Sequence, residues 1–428
     1  MLIEFSVSNF RSVVDRQTLS MVAGSSRSVR GTHSHETGNS AIPRLLKTAA
    51  ILGPNGAGKS TIVAAMQFMK DFVIDSARNS QEGEEISVEP FLFSNKGRTS
   101  PSEFEIIFLE NGTRYQYGFA ATKFIVVKEW LYATPPGGRT QKWFDRHYDE
   151  STQKVIININ QNIKGEKEVW KKSTRDNALF LSVAVQLKSP SLLEPFEWFT
   201  KKLGVIRSIP RLKETYSARI CQGNDKNSVI SLIRAADINI ADVRIEEKIF
   251  SEKFSKLSPE FQEKFKPFAE KMKGHKIPEV YLGHLAEGGE TVFLPLSEES
   301  DGTKALFSLA GPWLDVLQNG RVLIVDELHN SLHALVFEML VRIFQDVKQN
   351  KKFGQLIFTT HETHFLSQNV VHRDGIWLVK LEGLEGSKLT ALSDFKARGG
   401  EAFDRGYLGG RYGSIPKIAI DTMDNSGM

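Results

Sequence analysis

Residues 53–61 read GPNGAGKST, between the apolar run Ala49, Ala50, Ile51, Leu52 and a helical pattern that starts Ile62, Val63, Ala64, Ala65, Met66. A buried strand that must turn sharply into a helix leaves the chain few folds to choose from. Gly53, Gly56 and Gly58 let the backbone curl so that successive N–H groups converge at a helix N-terminus, a ready site for phosphate. In a loop of this spelling Lys59 neutralises β- and γ-phosphates, and the hydroxyl of Ser60 serves a magnesium ion. The stretch Gly53, Pro54, Asn55, Gly56, Ala57, Gly58, Lys59, Ser60 and Thr61 is therefore expected to cradle a nucleotide.

A chain of 428 residues with a net charge of +4 neither demands nor forbids nucleic acid, so a binding face for it must come from local clustering. Lys171, Lys172 and Arg175 form one such cluster, and Lys201, Lys202, Arg207 and Arg211 another. Cys221 is the single cysteine, which excludes an intramolecular disulfide and a cysteine-based zinc site and favours a reducing, cytoplasmic setting. No secretory signal is read at the N-terminus, and no run reaches the roughly 18 apolar residues that span a bilayer, so no membrane partner is expected.

Hydrophobic periodicity divides the rest. Leu2 to Val7 and Thr18 to Val22 alternate as strands around the turn Asn9-Phe10-Arg11-Ser12, and Gly24 to Asn39 reads as a mobile loop. From Phe91 to Ile159 the period is two, with a hairpin signal at Asn111-Gly112. Residues 166–276 are mixed and charged, with helical candidates and no heptad run long enough for a coiled-coil arm. These patterns predict an N-terminal lobe over 1–165, an inserted, mainly helical subdomain over 166–276, and a C-terminal lobe over 277–428.

In that last lobe Arg321 to Glu327, RVLIVDE, is apolar without alternation, as a strand covered on both faces of a parallel sheet should be. Asp326 at its end is placed to hold magnesium through water, and Glu327 to polarise an attacking water as general base. One helix and one strand later LIFTTH ends in His361, where a neutral imidazole can sense a γ-phosphate. The segment Ser300-Asp301-Gly302-Thr303 opens a helix and supplies a second anion-binding helix start. Since one loop already cradles its own nucleotide, Ser300 and Gly302 make sense as contacts to a nucleotide held by a second subunit.

The order of the Phe10-Arg11-Ser12 turn, GPNGAGKST, SDGT, VLIVDE and TTH resembles the ABC-type ATPase head shared by SMC proteins and RecF. More narrowly, NFRS, QFM at Gln67 to Met69, ESDGTK, DELHNSLH and GRYGSIP resemble the RloA and AbiL type of bacterial ATPases found beside nucleases in phage defence. Departures are Ala334, where such proteins often carry proline, and the SMC-like spelling of the loop.

The resemblance implies an α/β fold: a P-loop head with a mixed, largely parallel core sheet, an N-terminal antiparallel β subdomain and a helical insertion. It implies ATP and Mg²⁺, with nucleotide contacts from Arg11, catalysis by Glu327 and sensing by His361. It also implies a homodimer, or a higher homo-oligomer, closed around ATP, and a separate effector, a nuclease or toxin. A rival reading is a clamp of the SMC or RecF kind that acts on DNA directly.

Overall fold

The computed structural model describes residues 1–24, 31–79, 81–149, 151–254, 258–272, 274–366, 370–395 and 403–415. Residues 25–30 of the expected loop, and Pro416 of the GRYGSIP segment, lie outside them. The rest of that loop is not irregular: Ser34–Asn39 pairs antiparallel with Ile42–Leu46. The alternation there is short and polar, which hides a strand whose first residues, Ser34 and His35, are buried.

Two compact units divide the chain, one comprising Met1–Arg207, Asn319–Leu328 and Leu340–Met428, the other Ser208–Gln318 and His329–Met339. Residues 166–207 thus belong with the N-terminal lobe. The strand Leu203–Ile206 explains this, because it pairs in parallel with Val322–Val325 in the first unit's central sheet.

That central sheet has six strands in the order Leu203–Ile206, Val322–Val325, Gln355–Thr360, Thr48–Leu52, Ile376–Leu381 and Ser387–Ala391. All neighbours are parallel except the last pair. The middle strands are buried throughout, which accounts for their unbroken apolar spelling. Seven antiparallel strands form a second sheet, running from Lys154–Ile159 through Thr113–Ala121 to Leu2–Ser8 and Gln17–Ser20. Its Asn111-Gly112 hairpin has φ of 45° and 79° at the two loop residues, the left-handed pair that a two-residue turn requires.

The helix Lys59–Asn79 buries Ile62, Val63, Met66, Met69 and Val73 at helical spacing. Its Phe68 and Phe72 pack on Phe104 and Phe119 of the antiparallel sheet at centroid distances of 5.0 and 5.3 Å. Gln355 ties the sheets together: its Oε1 accepts the Leu2 N–H at 2.6 Å, and its Nε2 donates to the Leu2 and Leu46 carbonyls at 3.1 and 3.0 Å. A buried amide is tolerated here because its bonding capacity is used.

A buried ion pair anchors the far side of the antiparallel sheet. Glu129 and Arg146, fully enclosed, lie 3.7 Å apart. Glu129 accepts the Phe180 and Leu181 N–H groups at 2.6 and 3.0 Å and the Tyr117 hydroxyl at 3.0 Å. Arg146 donates to the carbonyls of Ala178, Arg175 and Asp176. Burial pushes the Glu129 carboxyl up, against the pull of Arg146 and these donors.

The second unit holds a three-stranded antiparallel sheet of Asp242–Ile249, Lys276–Leu285 and Thr291–Pro295. Its longest helix starts at Asp301 and contains Pro312, which has no N–H for the Ser308 carbonyl. Ser217 repairs the gap: its hydroxyl donates to Ser308 O at 3.1 Å and accepts the Gly311 N–H at 2.9 Å. A Cβ at Gly311 would lie 2.8 Å from Ser217 Cα, so the approach needs glycine.

Candidate functional site

The first unit brings three of the expected elements to one edge. Thr48–Leu52, Gln355–Thr360 and Val322–Val325 are consecutive parallel strands, so the loop at Gly53, the residue His361 and the pair Asp326-Glu327 all leave from their C-terminal ends. In open α/β sheets this is the edge where ligands bind.

The loop has the shape its glycines allow. Gly56 and Gly58 have φ of 79° and 107°, and Gly53 leaves no space for a Cβ against the Val379 carbonyl. The first turn of the following helix presents N–H groups that have no partner within the helix. Asn55, Gly56 and Ser60 are exposed, whereas Lys59 is buried. Lys59 Nζ donates to the Gly53 and Pro54 carbonyls at 2.8 and 3.1 Å. Burial pushes its ammonium pKa down, and the charges of Glu327 and Asp326 pull it back up, so the cation and both carboxylates share one electrostatic neighbourhood.

Asp326 is 7 % exposed and is held by a neighbour that the sequence did not single out. Thr359 Oγ1 donates to Asp326 Oδ1 at 2.5 Å and accepts the Glu327 N–H at 2.8 Å. One hydroxyl therefore orients both acids. Glu327 has φ of 52°, a left-handed conformation that an L side chain adopts at a cost of about 1–3 kcal/mol, and such strain clusters at functional sites. The Leu328 N–H to Thr359 O bond at 3.1 Å closes the same turn. The only signal for Thr359 is the first hydroxyl residue in TTH. His361 follows the strand and is exposed.

Arg11 lies in the expected turn, with φ of 49°, and its guanidinium forms a bidentate pair with Glu89 at 2.9 and 2.8 Å. It rims a cavity of about 550 Å³ whose walls include Ile86, Val88, Leu92 and Phe93. Ser300 and Gly302 belong to the second unit. There the Ser300 hydroxyl caps the helix by accepting the Thr303 N–H at 3.1 Å, and Ser300 and Asp301 are exposed.

The basic clusters are partly neutralised. Lys171 pairs with Glu168 at 2.8 Å, Lys201 pairs with Glu197 at 2.6 Å, and Lys202 donates to the Asn319 carbonyl at 3.0 Å. Among the described residues no helix is long and apolar enough to cross a membrane, and no group of three or more His, Cys, Asp or Glu could hold a metal by itself.

Residues 49–367, about three quarters of the chain, match the family described as "AAA domain, putative AbiEii toxin, Type IV TA system". The chain belongs to this family. The match begins in the strand before the phosphate loop and ends just past His361, so it encloses every motif assembled above except the Arg11 turn.

No curated protein matches this AAA-domain protein. Among solved structures it is similar to the SMC head domain from Thermotoga maritima, at 13 % identity and a TM-score of 0.38, over 91 % of this chain and 98 % of that one. A Smc head with an extended coiled coil, bound to the C-terminal domain of ScpA derived from Pyrococcus furiosus, gives 12 % identity and 0.39, over 92 % and 97 %. The recombination mediator RecF with ATP gives 16 % and 0.32, over 91 % and 97 %. These superpositions are loose, and the α/β P-loop architecture rests on the strand order and loop geometry described above.

Proposed function

We propose that this AAA-domain protein binds and hydrolyses ATP, and that the nucleotide state governs a partner. One observation carries the reading: the phosphate loop, the Asp326-Glu327 pair and His361 leave the same edge of three adjacent parallel strands.

The residues present suit a magnesium-bound triphosphate. The cradle is free of side chains at Gly56 and Gly58, Ser60 keeps its hydroxyl on the surface, and Asp326 commits one carboxylate oxygen to Thr359. Magnesium usually takes one or two protein ligands and fills the rest with phosphate and water, so the lack of an all-protein metal cage is no obstacle. Ser60 and Asp326 would hold the ion, which when bound neutralises charge that develops on the transferred phosphoryl group. Lys59 would bind the β- and γ-phosphates, Thr61 lies in the first turn after the loop, and Arg11 precedes Ser12, whose hydroxyl meets Thr61. Glu327, lifted out of ordinary backbone geometry, would accept a proton from the attacking water, and His361 would contact the γ-phosphate.

Ser300 and Gly302, at an exposed helix start, suit the nucleotide of a second copy, which gives a homodimer closed around ATP. The likeness of ESDGTK, DELHNSLH and GRYGSIP to ATPases found beside nucleases supports a nuclease or toxin effector in phage defence as the partner. ATP would act by binding one of two states better than the other.

The test is Glu327→Gln. It keeps the side chain's shape, should retain ATP binding, and should lose on the order of a hundredfold or more in hydrolysis. An unchanged rate overturns the assignment of Glu327. If the variant binds ATP yet stays monomeric by light scattering, the two-subunit closure fails while the site stands.

A further inference from the structure

We infer that Thr61, Ser12 and Ser387 form a hydroxyl relay that sets the shape of the phosphate loop, with Ser387 as its positioning residue. The inference rests on the ATP-binding reading for its purpose, though not for its geometry.

The three hydroxyls come from segments far apart in the chain. Ser387 opens the last strand of the central sheet, Ser12 closes the Asn9-Phe10-Arg11-Ser12 turn, and Thr61 lies in the first turn of the helix after the loop. Ser12 Oγ and Thr61 Oγ1 are 2.9 Å apart. Ser387 Oγ is 2.8 Å from Ser12 Oγ and 2.7 Å from the carbonyl oxygen of Ala57. The backbone fixes the same meeting point, since the Ser387 N–H donates to Ser12 O at 2.7 Å. Ser387 and Thr61 are buried and Ser12 is half-buried.

The Ala57 carbonyl anchors the relay. Each hydroxyl has one proton, and the Ala57 carbonyl can only accept. Ser387 therefore donates to Ala57 O and stands within bonding distance of the Ser12 hydroxyl, which shares the third bond with Thr61.

Two consequences follow for the loop. Across a planar trans peptide the C=O and the next N–H point in opposite directions. With the Ala57 carbonyl held toward Ser387, the Gly58 N–H is turned to the other side of the loop, where a phosphate would lie. The fit is close: a Cβ at Gly58 would collide with Ser387 Oγ and stand 2.8 Å from Ser12 Oγ. The second consequence concerns Thr61. Its hydroxyl is tied to Ser12, and the residue is buried. Thr61 therefore acts by positioning, and Ser60 is the loop hydroxyl that faces solvent.

The relay is tested with Ser387→Ala, Ser12→Ala and the double variant, by hydrogen exchange of residues 57–62 in the nucleotide-free protein and by the Kd for ATP with Mg²⁺. Loss of Ser387 orphans the buried Ala57 carbonyl, so about a tenfold weaker Kd and a comparable gain in loop exchange are expected. Loss of Ser12 leaves that carbonyl satisfied and should cost about threefold or less. The double variant should match Ser387→Ala, because the upstream hydroxyls act only through it.

Parental exchange and affinity in Ser387→Ala, or losses that multiply in the double variant, overturn the relay. If Ser387→Ala does not fold, Ser387→Cys, which keeps the shape but is a weak donor, takes its place under the same criteria. A parental protein that binds no ATP would sink the functional reading, whereas the exchange measurement still decides the relay.

Discussion

Thr359→Val is the sharpest probe of the site, because it removes one oxygen and leaves the loop untouched. The hydroxyl donates to Asp326 Oδ1 at 2.5 Å and accepts the Glu327 N–H at 2.8 Å. A hydrogen bond to a charged group contributes about 1.5–3 kcal/mol, and an orphaned N–H costs about 1–3 kcal/mol more if water cannot replace it. Glu327 is only half-buried, so water can recover part of the second term. Glu327 also sits at φ of 52°, and the Thr359 bond is one of the contacts that keeps it there.

If about 2 kcal/mol of this loss falls on the transition state, hydrolysis slows about 30-fold. ATP affinity should change much less, since Lys59 and the loop glycines make no bond to Thr359. Steady-state phosphate release, with Kd for ATP measured separately, separates the two effects. Thr359→Ser keeps the hydroxyl and serves as the control, expected near the parental rate. A valine variant that hydrolyses ATP as the parent does would refute the idea that Thr359 orients the two acids.

Other outcomes follow from the same structure. Gly58→Ala forces a Cβ into Ser387 Oγ at a φ of 107°, so ATP binding should fall by more than tenfold in calorimetry while the far sheet keeps its circular dichroism. Arg146→Ala strands the enclosed Glu129 carboxylate and uncaps three carbonyls, which should cost about 3–5 kcal/mol in urea unfolding. Acid should weaken the fold through His33 and His35, whose pKa values burial pushes down to about 4 and about 3. Unfolded histidines bind protons near pH 6.5 while the folded ones stay neutral. Stability is therefore fully present above pH 6.5 and falls as pH drops toward 4, by at most about 1.4 kcal/mol per pH unit for each histidine. His35 Nε2 lies 3.4 Å from Asn350 Nδ2, and His35→Gln, which removes the titrating group, should flatten that slope in unfolding midpoints measured from pH 8 to 4.5.

Where local spelling alone dictates geometry, the sequence was enough. The glycines of GPNGAGKST permit the curled backbone that a phosphate loop before a helix needs, VLIVDE has the unbroken apolar run of a strand covered on both faces, and Asn111-Gly112 favours a left-handed hairpin turn. Those rules reach a few residues along the chain, and they determined the P-loop, the carboxylate-bearing strand and the antiparallel block, while the order of the motifs carried the resemblance to a family. Leu203–Ile206 is four residues with no periodicity of its own, and it is a strand only because Val322–Val325 offers it a parallel edge. Thr359 and Ser387 look like ordinary hydroxyl residues until the sheet sets one between two acids and the other beneath a glycine of the loop. Hydrogen-bond partners 33 and 375 residues away in sequence are set by strand order and register, and these belong to the folded chain rather than to any segment of it.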